Sequence, residues 1–317
     1  VLNPPYSLFL FLPLGFLSAK AAVIAWSLLL AVFLTIAVRA TAAMVDVAFE
    51  RNYLLLGYFF VPALCCVEVG QTGLITLLGL ALFLWLHQRW PLWAGAALTL
   101  CAVKPHLLLP FGFVLLAWVL IRRRWLVVGG AIAALAAESL VAMAFDARIW
   151  TQYREMILTE PFVAKPIATL GVALRFAVDR NALWVEFVPA AAGCAWALWY
   201  FWRHRKEWDW RTHGSVVTLV SMIVAPYSWV TDQVIVIPAI LFALLGSKAP
   251  RKGSVTLLMA ILSAKEIQML ITRTFLSKWD LVLAIFWLGW YLYATSRRSS
   301  ESANERIHLP AATPAAN

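Results

Sequence analysis

The sequence predicts an all-α, polytopic membrane protein with about eleven transmembrane helices. Three observations predict it. Of 317 residues, 63% are hydrophobic and 13% charged, which is more apolar surface than a soluble domain can hide. The apolar residues gather in runs that approach the ~20 residues a helix needs to cross ~30 Å of hydrocarbon. The basic clusters between runs fall on alternate connections, the positive-inside pattern. The net charge of +10 is therefore assigned to cytoplasmic loops and not to nucleic-acid binding. The 17 tryptophans suit interfacial belts, as in WDWRTH and QRWPLW.

In chain order, the first apolar segment, 4–18, is short and interrupted by Pro13. It is read as a re-entrant or interfacial helix, so residues 1–20 form an N-terminal segment. Spans follow at roughly 21–38, 53–69, 72–86, 92–103, 107–121, 126–145, 183–202, 215–231, 234–247, 254–271 and 280–296. Together they make a transmembrane domain over 21–296. The polar stretch 297–317 is expected to be a disordered cytoplasmic tail. RRR (122–124), RHRK (203–206), KAPRK (248–252) and RR (297–298) mark the inside, and the alternation adds 39–52 and 87–91. The outside then receives Gly70–Gln71, the Lys104–His106 turn, the long loop 146–182, 228–233 and 272–279. Cys65, Cys66, Cys101 and Cys194 lie in apolar runs without zinc spacing, and are read as packing.

Ionisable residues inside spans are candidates for function. Here they are Glu68, Lys104, Glu138, Asp232, Lys265 and Glu266, and all fall on the outer side of the expected topology. Such a one-sided set points to a polar cavity opening outward. Residues 92–121 would make one helix about 45 Å long, too long for the bilayer. Pro105 divides it, because proline interrupts the hydrogen-bond ladder and pushes Lys104 out of helical geometry. A lysine at the centre of a span costs about 2.5–3.5 kcal/mol on insertion scales. At the turn, Lys104 and His106 either snorkel to outer headgroups or present a cationic group to an anionic ligand, most simply a phosphate.

Glu68 and Gln71 are three apart and are expected to share a helix face beside Gly70. A capped helix end explains them equally well. APYSWVTDQ (225–233) interrupts an apolar run with Pro226 and polar residues; such breaks are tolerated where they line a cavity or are buried in protein. Asp232 there is a base, a ligand group or part of a wet turn. In the loop 146–182, Leu170, Leu174 and Ala177 recur at helical spacing, which predicts an amphipathic surface helix with Arg175 turned to the site. Lys265 is a binding candidate, or simply neutralises Glu266 or Glu138. No Gly-rich phosphate loop and no metal-ligand cluster appears, so no cofactor or metal is expected, with a divalent ion left open by the outward acids.

The Asn-Pro-Pro run with PLGFL and AAVIAW (13–26), VGQTGLITLLGLAL (69–82), AGAALTLCAVKPHLLL (94–109), RRRW (122–125) and APYSWVTDQVIVIPAIL (225–241) together resemble glycosyltransferase family 87 of the GT-C superfamily. The resemblance covers most of residues 3–245. It implies a polyprenyl-phosphate sugar donor, commonly of mannose, and a lipid-linked or glycan acceptor at the outer face of a bacterial inner membrane. It also implies a first span and outer loop carrying the acidic catalytic base before the Pro-Pro motif. The chain starts at Val1, just before Asn3, so it is expected to be truncated, with that acid upstream. The family carries an aromatic residue before the two prolines, where Asn3 stands here, and often His or Asp in its late motif, where Asp232 stands.

These readings combine into an inverting hexosyl transfer. Lys104, His106 and Arg175 would meet the departing phosphate, Glu68, Gln71 and Asp232 would position sugar hydroxyls, Lys265 would bind substrate, and Asp232 and Glu68 are the candidates within the chain for the catalytic role. The rivals are a secondary transporter, which would also use broken helices and buried charge, and a lipid-linked glycan flippase or ligase. No internal repeat supports the transporter.

Overall fold

The computed structural model describes residues 3–45, 55, 57–159, 169–245 and 283–295. Among them every regular element is helical and no strand occurs. The α-helices are α1 (Ala19–Ala42), α2 (Val61–Val69), α3 (Gly73–Leu86), α4 (Pro91–Cys101), α5 (Leu109–Arg122), α6 (Trp125–Phe145), α7 (Ile149–Thr159), α8 (Leu170–Val178), α9 (Val188–His204), α10 (His213–Val224), α11 (Ile237–Leu245) and α12 (Leu283–Thr295). Short 3-10 helices cover Pro5–Leu10, Leu12–Phe16, Pro105–Leu108, Leu183–Phe187 and Val230–Val236.

Among the described residues, three stretches are long and apolar enough to cross a membrane: Ala19–Ala42, Pro105–Arg122 and Trp125–Phe145. Five other apolar helices among them are shorter, and about eleven spans are not confirmed by this mixture of lengths. The reason for the mixture is proline. The expected span 53–69 is interrupted before Pro62, with Phe60 extended. The span 215–231 stops at Val224, because Ala225 is held extended ahead of Pro226. Helix α9 begins only at Val188–Pro189, after a 3-10 turn. The break at Lys104–Pro105 falls where Pro105 predicts it. Residues 4–18 form two 3-10 turns and no membrane-length helix. The expected span 254–271, with Lys265 and Glu266, and the tail 297–317 lie outside the described residues.

Helices α4 and α6 cross without side chains between them. A Cβ on Gly95 would lie 1.9 Å from the Val127 carbonyl, and one on Gly130 1.9 Å from the Leu92 carbonyl. Each helix thus presses its backbone against the other's glycine, the close approach that membrane helices use in place of hydrophobic burial. The outward side of α6 stays apolar, with Ile132 and Leu140 well exposed.

The two ends of the bundle differ chemically. At one end the described basic connections 122–124 and 203–206 meet. The Arg122 guanidinium donates to the carbonyls of Arg205 (2.9 Å) and Lys206 (3.3 Å). Arg211 donates to the Met44 carbonyl (3.1 Å), and the Tyr291 hydroxyl to that of Thr212 (3.2 Å). Burial alone would raise the Asp209 carboxyl, but hydrogen bonds from Thr212 and the Arg211 charge hold it below the ordinary carboxylate range. Beneath them, Trp210 packs on Phe111 and Phe83 at 4.9 and 5.1 Å between ring centres. Helices α3, α4 and α5 run from that end to the other, where Gln71 and Lys104 sit.

Gly130→Ala should force α4 and α6 apart and cost about 1–3 kcal/mol. Gly129→Ala, next door on α6 with nothing in reach of its Cβ, should leave the melting temperature unchanged or raise it, since alanine favours a helix by about 1 kcal/mol. Thermal unfolding of both variants in one detergent checks the pair; equal melting temperatures would contradict the backbone crossing.

Candidate active site

The site is built where three chain reversals meet. The first follows α2. Gly70 takes a left-handed conformation (φ 68°), and the Gln71 N–H donates to the Cys66 carbonyl at 2.9 Å, a glycine-capped helix end. The Gly70 carbonyl accepts from the Trp26 indole (3.0 Å), which anchors the reversal to α1. The helix therefore ends before Gln71, so Glu68 and Gln71 do not share the expected face. Glu68 points outward from α2 and is exposed, whereas Gln71 turns inward.

The second reversal is Lys104–Pro105. Lys104 leaves helical geometry (φ −132°, ψ 68°), and the 3-10 turn that follows redirects the chain into α5. Its side chain points into the protein and is only 6% exposed. The third is Trp229–Val236. The Asp232 carboxylate accepts from its own Trp229 N–H at 2.9 Å, while its N–H donates to the Trp229 carbonyl at 2.8 Å. This reciprocal capping fixes the Asp232 side chain at the start of the 3-10 helix. The Cys66 thiol donates to the Thr231 carbonyl (3.1 Å), locking this segment onto α2.

At the centre, the Lys104 ammonium lies 2.6 Å from Asp232 Oδ1 and 3.3 Å from Gln71 Oε1. Asp232 is fully buried. The cation expected to await an anionic ligand thus already holds a carboxylate. Taking both charges out of water is costly, and only close pairing with further hydrogen bonds offsets that cost. Gln71 and the Trp229 N–H supply those bonds.

Around this pair stand groups with open valences. His106 Nε2 is buried without a hydrogen-bond partner. Its ring faces Tyr227 at 5.8 Å, and the Tyr227 hydroxyl accepts from the Trp229 indole. Arg175 is buried on α8 and does not lie free on a surface helix: its Nε sits 2.8 Å from Glu186 Oε1, without hydrogen-bond alignment. Thr169 caps α8 and donates to the Pro226 carbonyl (3.3 Å), which brings α8 beside the same broken segment. Glu138 lies on α6 and accepts from Thr99 at 2.7 Å, its other oxygen buried and unpaired. Among the described residues, no three His, Cys, Asp or Glu side chains come together as a metal site would require.

Residues 2–226 match the model of glycosyltransferase family 87. The chain belongs to glycosyltransferase family 87. No curated protein and no solved structure matches it. Its family and its apolar helices make it a helical membrane glycosyltransferase. The match includes Gln71, Lys104, His106, Arg175 and Glu186 and ends before Asp232. Sequence reasoning did not single out Glu186, Tyr227 or Trp229 as site residues. Glu186 is eleven positions from its arginine, beyond any local spacing rule, and Tyr227 and Trp229 read as ordinary members of an aromatic-rich chain.

Lys104→Met strands the Asp232 carboxylate and should destabilise the protein by about 3–5 kcal/mol. The double variant Lys104→Met/Asp232→Leu removes both charges and should recover most of that loss. Melting curves for the three proteins check this; a double variant no more stable than the single one would sink the account of the pair.

Proposed function

We propose that the protein transfers a hexose, mannose being the first candidate, from a polyprenyl-phosphate sugar to a lipid-linked or glycan acceptor, with inversion. We place the reaction at the Lys104–Asp232 end of the bundle and that end on the outer face of a bacterial inner membrane. The observation that carries the reading is the division of the molecule. The described basic connections around Arg122 and Arg205 meet at one end and the buried Lys104–Asp232 pair lies at the other, and basic loops belong inside.

In the proposed reaction an acceptor hydroxyl oxygen attacks the anomeric carbon, and the bond from that carbon to the phosphate oxygen breaks. The electron pair leaves with the polyprenyl phosphate, and a base takes the hydroxyl proton. The donor is a phosphodiester with one negative charge; the leaving phosphate gains more. A cation near the bridging oxygen is therefore worth more in the transition state than in the ground state. Lys104 fills that role by exchanging its Gln71 contact for the phosphate while keeping its contact with Asp232. The open Nε2 of His106 is a second contact for the same oxygens. Arg175, held by Glu186, steadies the adjacent segment. Glu68, exposed on α2, is a weaker candidate. The base is an acidic side chain, and no resident cofactor is invoked.

The full-length protein in membrane vesicles, given a radiolabelled polyprenyl-phosphate hexose, should move label into a glycosylated product. Lys104→Met/Asp232→Leu should remain folded but lose about 10²–10³-fold in transfer rate. Undiminished transfer would reduce the pair to a structural role. Uptake of a solute into vesicles with no transfer from any such donor would favour the transporter.

A further inference from the structure

Away from the Lys104–Asp232 pair, a groove of 410 Å³ opens between the N-terminal 3-10 turns and α7. That volume falls in the range of small-molecule sites. Pro5, Leu8 and Phe11 form one wall, and Ile149 and Met156 the other. Among the described residues, no lysine, arginine, aspartate or glutamate lines it. The polar groups at its edge are mostly occupied: the Ser7 hydroxyl donates to the Pro4 carbonyl (2.7 Å) and the Gln152 amide to Asp146 (2.8 Å). The Tyr153 phenol also lines the groove, and Asn3 adds an open acceptor. Its side-chain oxygen is buried and has no hydrogen-bond partner, and only a donor such as a hydroxyl satisfies it.

The groove is tied to the reaction end. The phenol of Tyr6, on the Pro5–Leu10 turn, donates to the Ala102 carbonyl, two residues before Lys104. The same turn packs on α6, and Tyr6 faces Trp150 of α7 at 6.4 Å. Apolar walls beside a bilayer take a hydrocarbon chain. An uncharged lining with an open carbonyl oxygen takes a hydroxyl-bearing head and offers no cation to a phosphate.

We propose that this groove is the acceptor subsite, and that it binds an uncharged, hydroxylated amphiphile, its chain along Leu8, Phe11 and Met156 and its head at Asn3. This rests on the reading of the protein as a transferase with a lipid-linked acceptor and divides that site into two parts. The phosphate donor belongs beside Lys104, and the acceptor lipid lies between the N-terminal turns and α7.

The test uses binding and needs no turnover, so it stands apart from the transfer assay. The full-length protein in phosphatidylcholine nanodiscs is irradiated with either of two probes, dodecyl glucoside or dodecyl phosphate, each carrying a diazirine at the chain end. Labelled peptides are then mapped by mass spectrometry. The glucoside should label 149–156 or 5–11, and the phosphate should label them far less. Met156→Trp, which fills the groove, should abolish the glucoside labelling. Asn3→Ala, a change too mild to unfold the protein, should reduce it about fivefold while leaving labelling by a diazirine-bearing dodecane unchanged. Equal labelling by the phosphate, glucoside labelling confined to other peptides, or labelling indifferent to Asn3→Ala would each overturn the proposal.

Discussion

A lysine and an aspartate 2.6 Å apart in an apolar interior decide the arrangement of the rest. Neither charge is tolerable there alone. Lys104 must leave α4 at Pro105 to reach inward, and Asp232 must leave the α10 line at Pro226 to meet it. The pair therefore requires both helix breaks. The breaks in turn free backbone groups, which the glycine cap at Gly70, the 3-10 turn after Lys104 and the self-capping of Asp232 satisfy. Non-helical backbone is admissible at such depth only when buried in protein or facing a cavity, and these three reversals bury one another.

The short helices follow from the same constraint. α3, at 14 residues and so about 21 Å, is shorter than the ~30 Å of hydrocarbon. It ends against the Gln71 reversal, and α4 ends at the Lys104 reversal, so the polar cluster lies below the level that full-length spans such as α1 reach. The opposite end has exposed cations that donate to loop carbonyls. Loop cations at that end thus contrast with the buried, neutralised Lys104–Asp232 pair at the other.

Much of this was legible in the sequence because it is local. Pro105 predicts the break beside Lys104, Pro226 predicts the end of α10, and apolar composition predicts helices throughout. What was not legible is non-local. Lys104 and Asp232 are 128 residues apart, and nothing in either neighbourhood names the other, so the cation looked free for a ligand. Arg175 looked free for the same reason. The Glu68–Gln71 face failed for a different reason. Spacing of three implies a shared face only while the helix continues, and Gly70, the residue that permits a turn, ends it. Helix lengths were less legible, because hydropathy counts apolar residues and does not see that helices begin at Pro62 and Pro189 and stop ahead of Pro226.

Pre-pairing of the buried cations bears on how a charged substrate is handled. An unpaired Lys104 would be expensive to keep in the resting protein and would bind any anion. With Asp232 in place, the site is nearly neutral, and a phosphodiester gains little by entering. The gain grows only as the phosphate acquires charge when its bond to the sugar breaks. On the proposed reading, Asp232 therefore lowers affinity for the ground state and leaves the transition state favoured, the condition under which binding energy raises the rate of the chemical step. The fixed geometry of the aspartate, held by its own Trp229 N–H, matters here. A carboxylate free to swing away would restore a bare cation, and with it tight, unproductive binding of the leaving phosphate.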